Sequence, residues 1–152
     1  MLFGLPAAVS AQSAQVAFGT IQENSDLPVE VTADSLSIDQ AAGTAIFTGN
    51  VVIGQGEMRL SAQEVLVVYS NSDQGVARLE ATGGVTLVSG SDAAESERAD
   101  YNVEDGTIVM SGNVLVAQGP SALTADRMTV QIETGTAQMS GRVKTVLQTG
   151  DK

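Results

Sequence analysis

Apolar and polar residues alternate along most of this chain, and the alternation is organised around four glycines. In the approach to Gly49, Gly83, Gly112 and Gly141, one parity reads Ala45 and Phe47, then Ala77, Leu79 and Ala81, then Ile108 and Met110, then Ala137 and Met139. The other parity carries Ile46 and Thr48, Arg78, Glu80 and Thr82, Val109 and Ser111, Gln138 and Ser140. Successive side chains of a strand point to opposite faces, so this period of two predicts half-buried strands with the first set inward. Beyond each glycine the inward parity continues with Val51 and Ile53, Val85 and Leu87, Val114 and Val116, and Val143 and Leu147, against Asn50, Gly84, Asn113, Arg142 and Lys144. Each glycine is thus expected in mid-strand on the inner face, where the missing side chain permits a bend or leaves room.

The pattern is a repeat. Residues 44–53 (TAIFTGNVVI) recur as 107–116 (TIVMSGNVLV), with weaker copies at 77–87 and 137–147. The glycines lie 34, 29 and 29 residues apart. A partner strand precedes each copy: 33–38, 62–67, 99–103 and 125–130, with Leu36 and Ile38, Tyr101 and Val103, and Met128, Val130 and Ile132 inward. Turn-forming residues at 39–43, 70–75, 104–106 and 133–135 join partners as hairpins, and 89–92 and 118–121 are further hairpin loops. Two architectures satisfy this pattern: antiparallel sheets folded over each other as a jelly roll, or a β-solenoid of stacked hairpin rungs. Both enclose an aliphatic ribbon in which Phe47 and Tyr101 are the bulky members, and a trough left partly unfilled would be a groove for lipid.

Composition narrows the chemistry. At 152 residues the chain fits one domain. It has no cysteine and no histidine, which removes disulfides, thiol nucleophiles, histidine bases and the usual zinc or haem ligands. No metal site, cofactor or catalytic residue is therefore expected. A formal net charge of −11 repels nucleic acid phosphates, so no nucleic acid partner is expected. Asp34, Asp100 and Asp126 recur at the starts of partner strands, which suits turn capping better than a unique catalytic pair.

The N-terminus reads as an address. Residues 2–11 form a short apolar run closing on Val9, Ser10 and Ala11, small residues of the kind a signal peptidase accepts, although no basic residue precedes them. Cleavage is expected after Ala11 or Ala14; the plainer alternative for residues 2–11 is a first β-strand or a frayed apolar terminus. Residues 1–14 are read as a signal peptide remnant, 15–27 as a polar lead-in and 28–150 as the domain.

Residues 27–34 (LPVEVTAD), 43–56 (GTAIFTGNVVIGQG), 60–62 (LSA), 110–114 (MSGNV), 123–126 (LTAD) and 143–147 (VKTVL) closely resemble, in the same order, the LptA (OstA-like) family of lipopolysaccharide-transport proteins. The resemblance implies an all-β, slightly twisted antiparallel jelly roll in the periplasm, with no enzymatic activity. It implies an interior that holds the acyl chains of lipid A, and a bridge in which such domains stack head to tail between LptC and the N-terminal domain of LptD. On pattern alone the inward residues are ordinary core. The resemblance makes Leu36, Ile38, Phe47, Val51, Ile53, Leu79, Val85, Leu87, Tyr101, Met110, Val114, Val116, Met128 and Met139 the lipid-facing set. It also makes the terminal strands joining edges: Val29 and Val31 upstream, and Val143, Thr145 and Leu147 downstream, where Arg142 and Lys144 could instead protect the edge. The rival from another class is a structural or adhesive β-solenoid of the cell surface with no ligand.

Overall fold

A computed structural model describes residues 27–71 and 75–147, together with the backbone of 13–17. The expected signal sequence falls mostly outside the described residues. Among the described residues eleven strands form: β1 (Ser13–Ala17), β2 (Glu30–Thr32), β3 (Ser35–Asp39), β4 (Thr44–Gln55), β5 (Met58–Tyr69), β6 (Val76–Ser89), β7 (Asp92–Asn102), β8 (Thr107–Gln118), β9 (Ser121–Gln131), β10 (Thr136–Ser140) and β11 (Lys144–Val146). They pair in the order β1-β10-β9-β8-β7-β6-β5-β4-β2, with β3 on the remaining part of β4 and β11 on the remaining part of β9. Each of these pairings is antiparallel. This one antiparallel ladder bends along its length so that its two halves face each other across one core, which selects the folded-over sheet.

The six long strands β4 to β9 each bend once, and the bends stack into a row. On one side of the row lie β3, residues 44–48, 64–69, 76–82, 98–102, 107–111 and 127–131, β10 and β1; we call this sheet A. On the other side lie β2, residues 51–55, 58–62, 85–89, 92–96, 114–118 and 121–125, and β11, here sheet B. The apolar faces of A and B close on one core, whose members include Val51, Ile53, Leu87, Ile108, Met110, Val116, Met128 and Met139, each 0–1 % exposed.

The bends explain the four glycines differently from the alternation alone. Gly49, Gly83, Gly112 and Gly141 have φ of +86°, +87°, +87° and +81°, and the next residues Asn50, Gly84, Asn113 and Arg142 are also left-handed at +49°, +89°, +50° and +49°. Two consecutive left-handed residues place one extra residue on the glycine strand. In β4 the register passes from Thr48 opposite Glu64 to Val51 opposite Ala62, so residues 49 and 50 face only Gln63. This is a β-bulge. The room expected beside each glycine is occupied: an added Cβ would lie 2.6 Å from Asp34 Oδ2 at Gly49, 2.7 Å from Gln63 Cβ at Gly83, 2.6 Å from Glu97 Oε1 at Gly112 and 2.7 Å from Asp126 Cβ at Gly141.

These four residues, rather than the expected three aspartates, are the repeating feature. Asp34 accepts from Asn50 Nδ2 at 3.0 Å, Glu97 from Asn113 Nδ2, and Asp126 from Arg142 Nη2 at 2.8 Å. Backbone bonds from Asp34 N to Gly49 O (2.9 Å) and from Asp126 N to Gly141 O (2.8 Å) close the first and last bends. Asp100 stands elsewhere, on the outer face, paired with Arg98 at 3.1 Å and directly across from Glu80. The Arg142 guanidinium holds the Asp126 carboxyl below its usual range, mainly by hydrogen bonding. Arg142→Ala is expected to return the Asp126 titration upward, read by NMR of the carboxyl carbon. The pair's contribution is present above the ordinary aspartate range and is lost as pH falls through the lowered value.

Candidate functional site

The candidate site is the space between the two sheets. On sheet A it is walled by Phe47, Leu79, Tyr101, Met110, Met128 and Met139, and on sheet B by Val51, Ile53, Val85, Leu87, Val114 and Val116. These residues are buried apart from Phe47, which is half-buried at one end. The structure thus brings together twelve of the fourteen expected lipid-facing residues. The wall also includes residues outside that set: Met58, Leu60, Val65 and Val67 of β5, Ile108 of β8, and Leu123 and Val130 of β9. Their apolar character is plain in the sequence, but β5, β7 and β9 change parity opposite each bulge. In β5 the inward residues run Met58, Leu60, Ala62 and then Val65, Val67.

Leu36 and Ile38 differ from the expected inward set. Their backbones face Phe47 and Ala45 across the β3–β4 ladder, so they belong to the inner face, yet they are 49 % and 61 % exposed. The reason is position: β3 is the first strand of sheet A, and among the described residues no strand pairs beyond it. The aliphatic interior therefore continues to this end as an open apolar surface, flanked by the half-buried Val29 and Val31 that pack on the core. At the opposite end β11 contains Thr145 and is flanked by Val143 and Leu147; Val143 packs on the core, whereas Thr145 and Leu147 are exposed.

Elsewhere the interior is closed rather than a trough. Sheets A and B also meet through a polar contact, where Tyr101 Oη donates to Gln55 Oε1 at 3.2 Å and Gln55 Nε2 donates to Leu27 O at 2.9 Å. Both side chains are about 95 % buried. They stand near the hairpin ends of β7 and β4, so the contact links the two lips of the roll opposite the row of bends. Burial raises the Tyr101 phenol above its usual range, with the Gln55 bond opposing, so it stays a neutral donor through ordinary pH. Among the described residues there is no group of three or more His, Cys, Asp or Glu placed to hold a metal ion.

A family model described as LptA/(LptD N-terminal domain) LPS transport protein matches residues 30–136, well over half of the chain. The chain belongs to this family. The chain is 30 % identical over 113 residues to an uncharacterized protein of Rhizobium meliloti (strain 1021), covering 70 % of this chain and 61 % of that one. It is 29 % identical over 68 residues to the lipopolysaccharide export system protein LptA of Escherichia coli (strain K12), covering 45 % of this chain and 37 % of that one. This chain thus spans less than two thirds of those relatives' lengths. The fold matches the crystal structure of LptH, described as the LptA homologous periplasmic component of the lipopolysaccharide transport device of Pseudomonas aeruginosa. The TM-score is 0.73 at 17 % identity, over 83 % of this chain and 99 % of that one. The antiparallel jelly roll expected of this chain is therefore the fold observed.

Proposed function

We propose that this protein is a periplasmic carrier of lipopolysaccharide. In this reading it holds lipid A acyl chains between sheets A and B and joins LptC, the N-terminal domain of LptD and further copies of itself end to end. The observation that carries the reading is one aliphatic interior that continues, through Phe47, into the exposed Leu36 and Ile38 on an end strand. Each methylene buried contributes about 0.8 kcal/mol, so several acyl chains can be held without a polar clamp. That suits a chain whose formal charge of −11 disfavours lipid A phosphates. No chemical step is assigned to any residue. A ligand-free adhesive solenoid is disfavoured by the antiparallel, folded-over topology.

The test is site-specific photocrosslinking during incubation with lipopolysaccharide. A photoreactive phenylalanine at Phe47 or Leu36 is expected to capture the lipid, and one at Ile46, on the outer face of the same strand as Phe47, is not. Equal capture at all three positions, or none, would sink the lipid-interior reading.

A further inference from the structure

We infer that β1, which cleavage after Ala11 leaves whole, is a displaceable cover on the β10 edge, seated where strand β3 of a second copy of this chain docks. The inference rests on the end-to-end reading above. β10 runs toward the row of bends, ending at Ser140 beside Gly141, and β1 runs away from it, with Ser13 opposite Ser140 and Ala17 opposite Thr136. β3 also runs away from the bends, from Ser35 opposite Thr48 to Asp39 opposite Thr44. A second copy stacked on this end would therefore set its β3 on β10 antiparallel, in the direction β1 already takes. In sheet B the same stacking sets β2, which runs toward the bends, antiparallel on β11, which runs away from them. Both junctions then repeat the pairing found throughout the fold.

β1 also imitates β3 in sequence. Ser13-Ala14-Gln15-Val16 matches Ser35-Leu36-Ser37-Ile38 in its polar and apolar order, and each serine stands next to a bend. The imitation is the weaker one, with Ala14 and Val16 where β3 brings Leu36 and Ile38. Those two are 49 % and 61 % exposed on the separate chain, so exchanging β1 for an incoming β3 removes more apolar surface from water. Among the described residues no strand lies on the outer edge of β11, so an arriving copy first finds the sheet B edge available.

A cover seated about nine-tenths of the time weakens association about tenfold. Sedimentation velocity across a concentration series is therefore expected to show at least that gain in self-association when residues 13–17 are deleted from the full chain. A synthetic peptide of residues 12–18, added in excess, is expected to reverse the gain. Association that is equal in the two forms overturns the cover, and so does weaker association after deletion, which would make β1 a strand donated to the neighbour. The end-to-end reading is tested apart, by Leu36→Glu with Ile38→Glu in the deleted chain. If that pair leaves its association unchanged, or if neither form associates, end-to-end stacking through β3 fails and the cover with it.

Discussion

Linking positions 55 and 101 is expected to lower lipopolysaccharide capture by roughly tenfold or more, a penalty of about 1.4 kcal/mol. The chain has no cysteine, so in a Gln55→Cys, Tyr101→Cys variant a short bis-maleimide joins these two positions alone. The reasoning starts from packing. The inner residues of sheets A and B are close to fully buried, and a protein core at ordinary density has no void the width of an acyl chain. Lipid can enter only if the lips separate, while the bulged row of bends holds the other side. The Tyr101–Gln55 bond spans those lips. In the unlinked double variant that bond is gone, and a buried hydrogen bond contributes only about 1 kcal/mol, so capture should hold steady or rise a few-fold. Native mass spectrometry reads the lipid-bound fraction in both forms, and circular dichroism checks that linking leaves the sheets intact. A linked form that binds as well as the unlinked one would show that the space between A and B is not the lipid site.

Gly83→Ala should destabilise the protein by about 3 kcal/mol, and Gly84→Ala by about 1 kcal/mol. Both residues are left-handed, at φ +87° and +89°, so either alanine incurs about 1 kcal/mol or somewhat more of backbone strain. They differ in what the new methyl meets. At Gly83 it would sit 2.7 Å from Gln63 Cβ, an atom fixed to the partner backbone, whereas at Gly84 nothing lies within 4 Å. The bulge must then shift in one case and not in the other. For a chain of this size about 3 kcal/mol corresponds to a fall in Tm of roughly 6–12 °C, against a few degrees for Gly84→Ala. Gly84→Asn should cost less still, since Asn50 and Asn113 occupy the equivalent position in neighbouring bends. Thermal unfolding by circular dichroism decides; equal losses at both glycines would show that strain, and not the Gln63 contact, fixes the requirement.

Much of the architecture was legible in the sequence because the glycine strands keep one parity throughout. Phe47 with Val51, or Met110 with Val114, could be assigned to one face by counting in twos. Their partners could be assigned on one side of the bend, as Tyr101 and Met128 show, but not across it, since each faces a bulge and loses a residue of phase between Ala62 and Val65, between Ser96 and Ala99, and between Ala125 and Met128. For the same reason an acid series chosen by residue type took Asp100 where the geometry takes Glu97. What unites Asp34, Gln63, Glu97 and Asp126 is that each fills the space beside a glycine. Exposure at the ends was also hidden, because parity gives the face of Leu36 and Ile38 but not whether another strand lies beyond them. The strand at Ser13–Ala17 was not legible, since its partner, β10, lies far along the chain and leaves no local mark.

The stacked units give the interior a translational period. Two strands advance about 10 Å along the ladder direction, and after one such step a bound chain that faced Leu79, Ala81, Val85 and Leu87 faces Ile108, Met110, Val114 and Val116. A passenger in the proposed role therefore meets nearly the same methyl-lined surroundings at every stop, so its energy profile along the roll is close to level and no single station traps it. A level corridor also has no intrinsic direction. Net flow through it must be set by loading at one end and removal at the other, and the roll itself need only keep the steps alike.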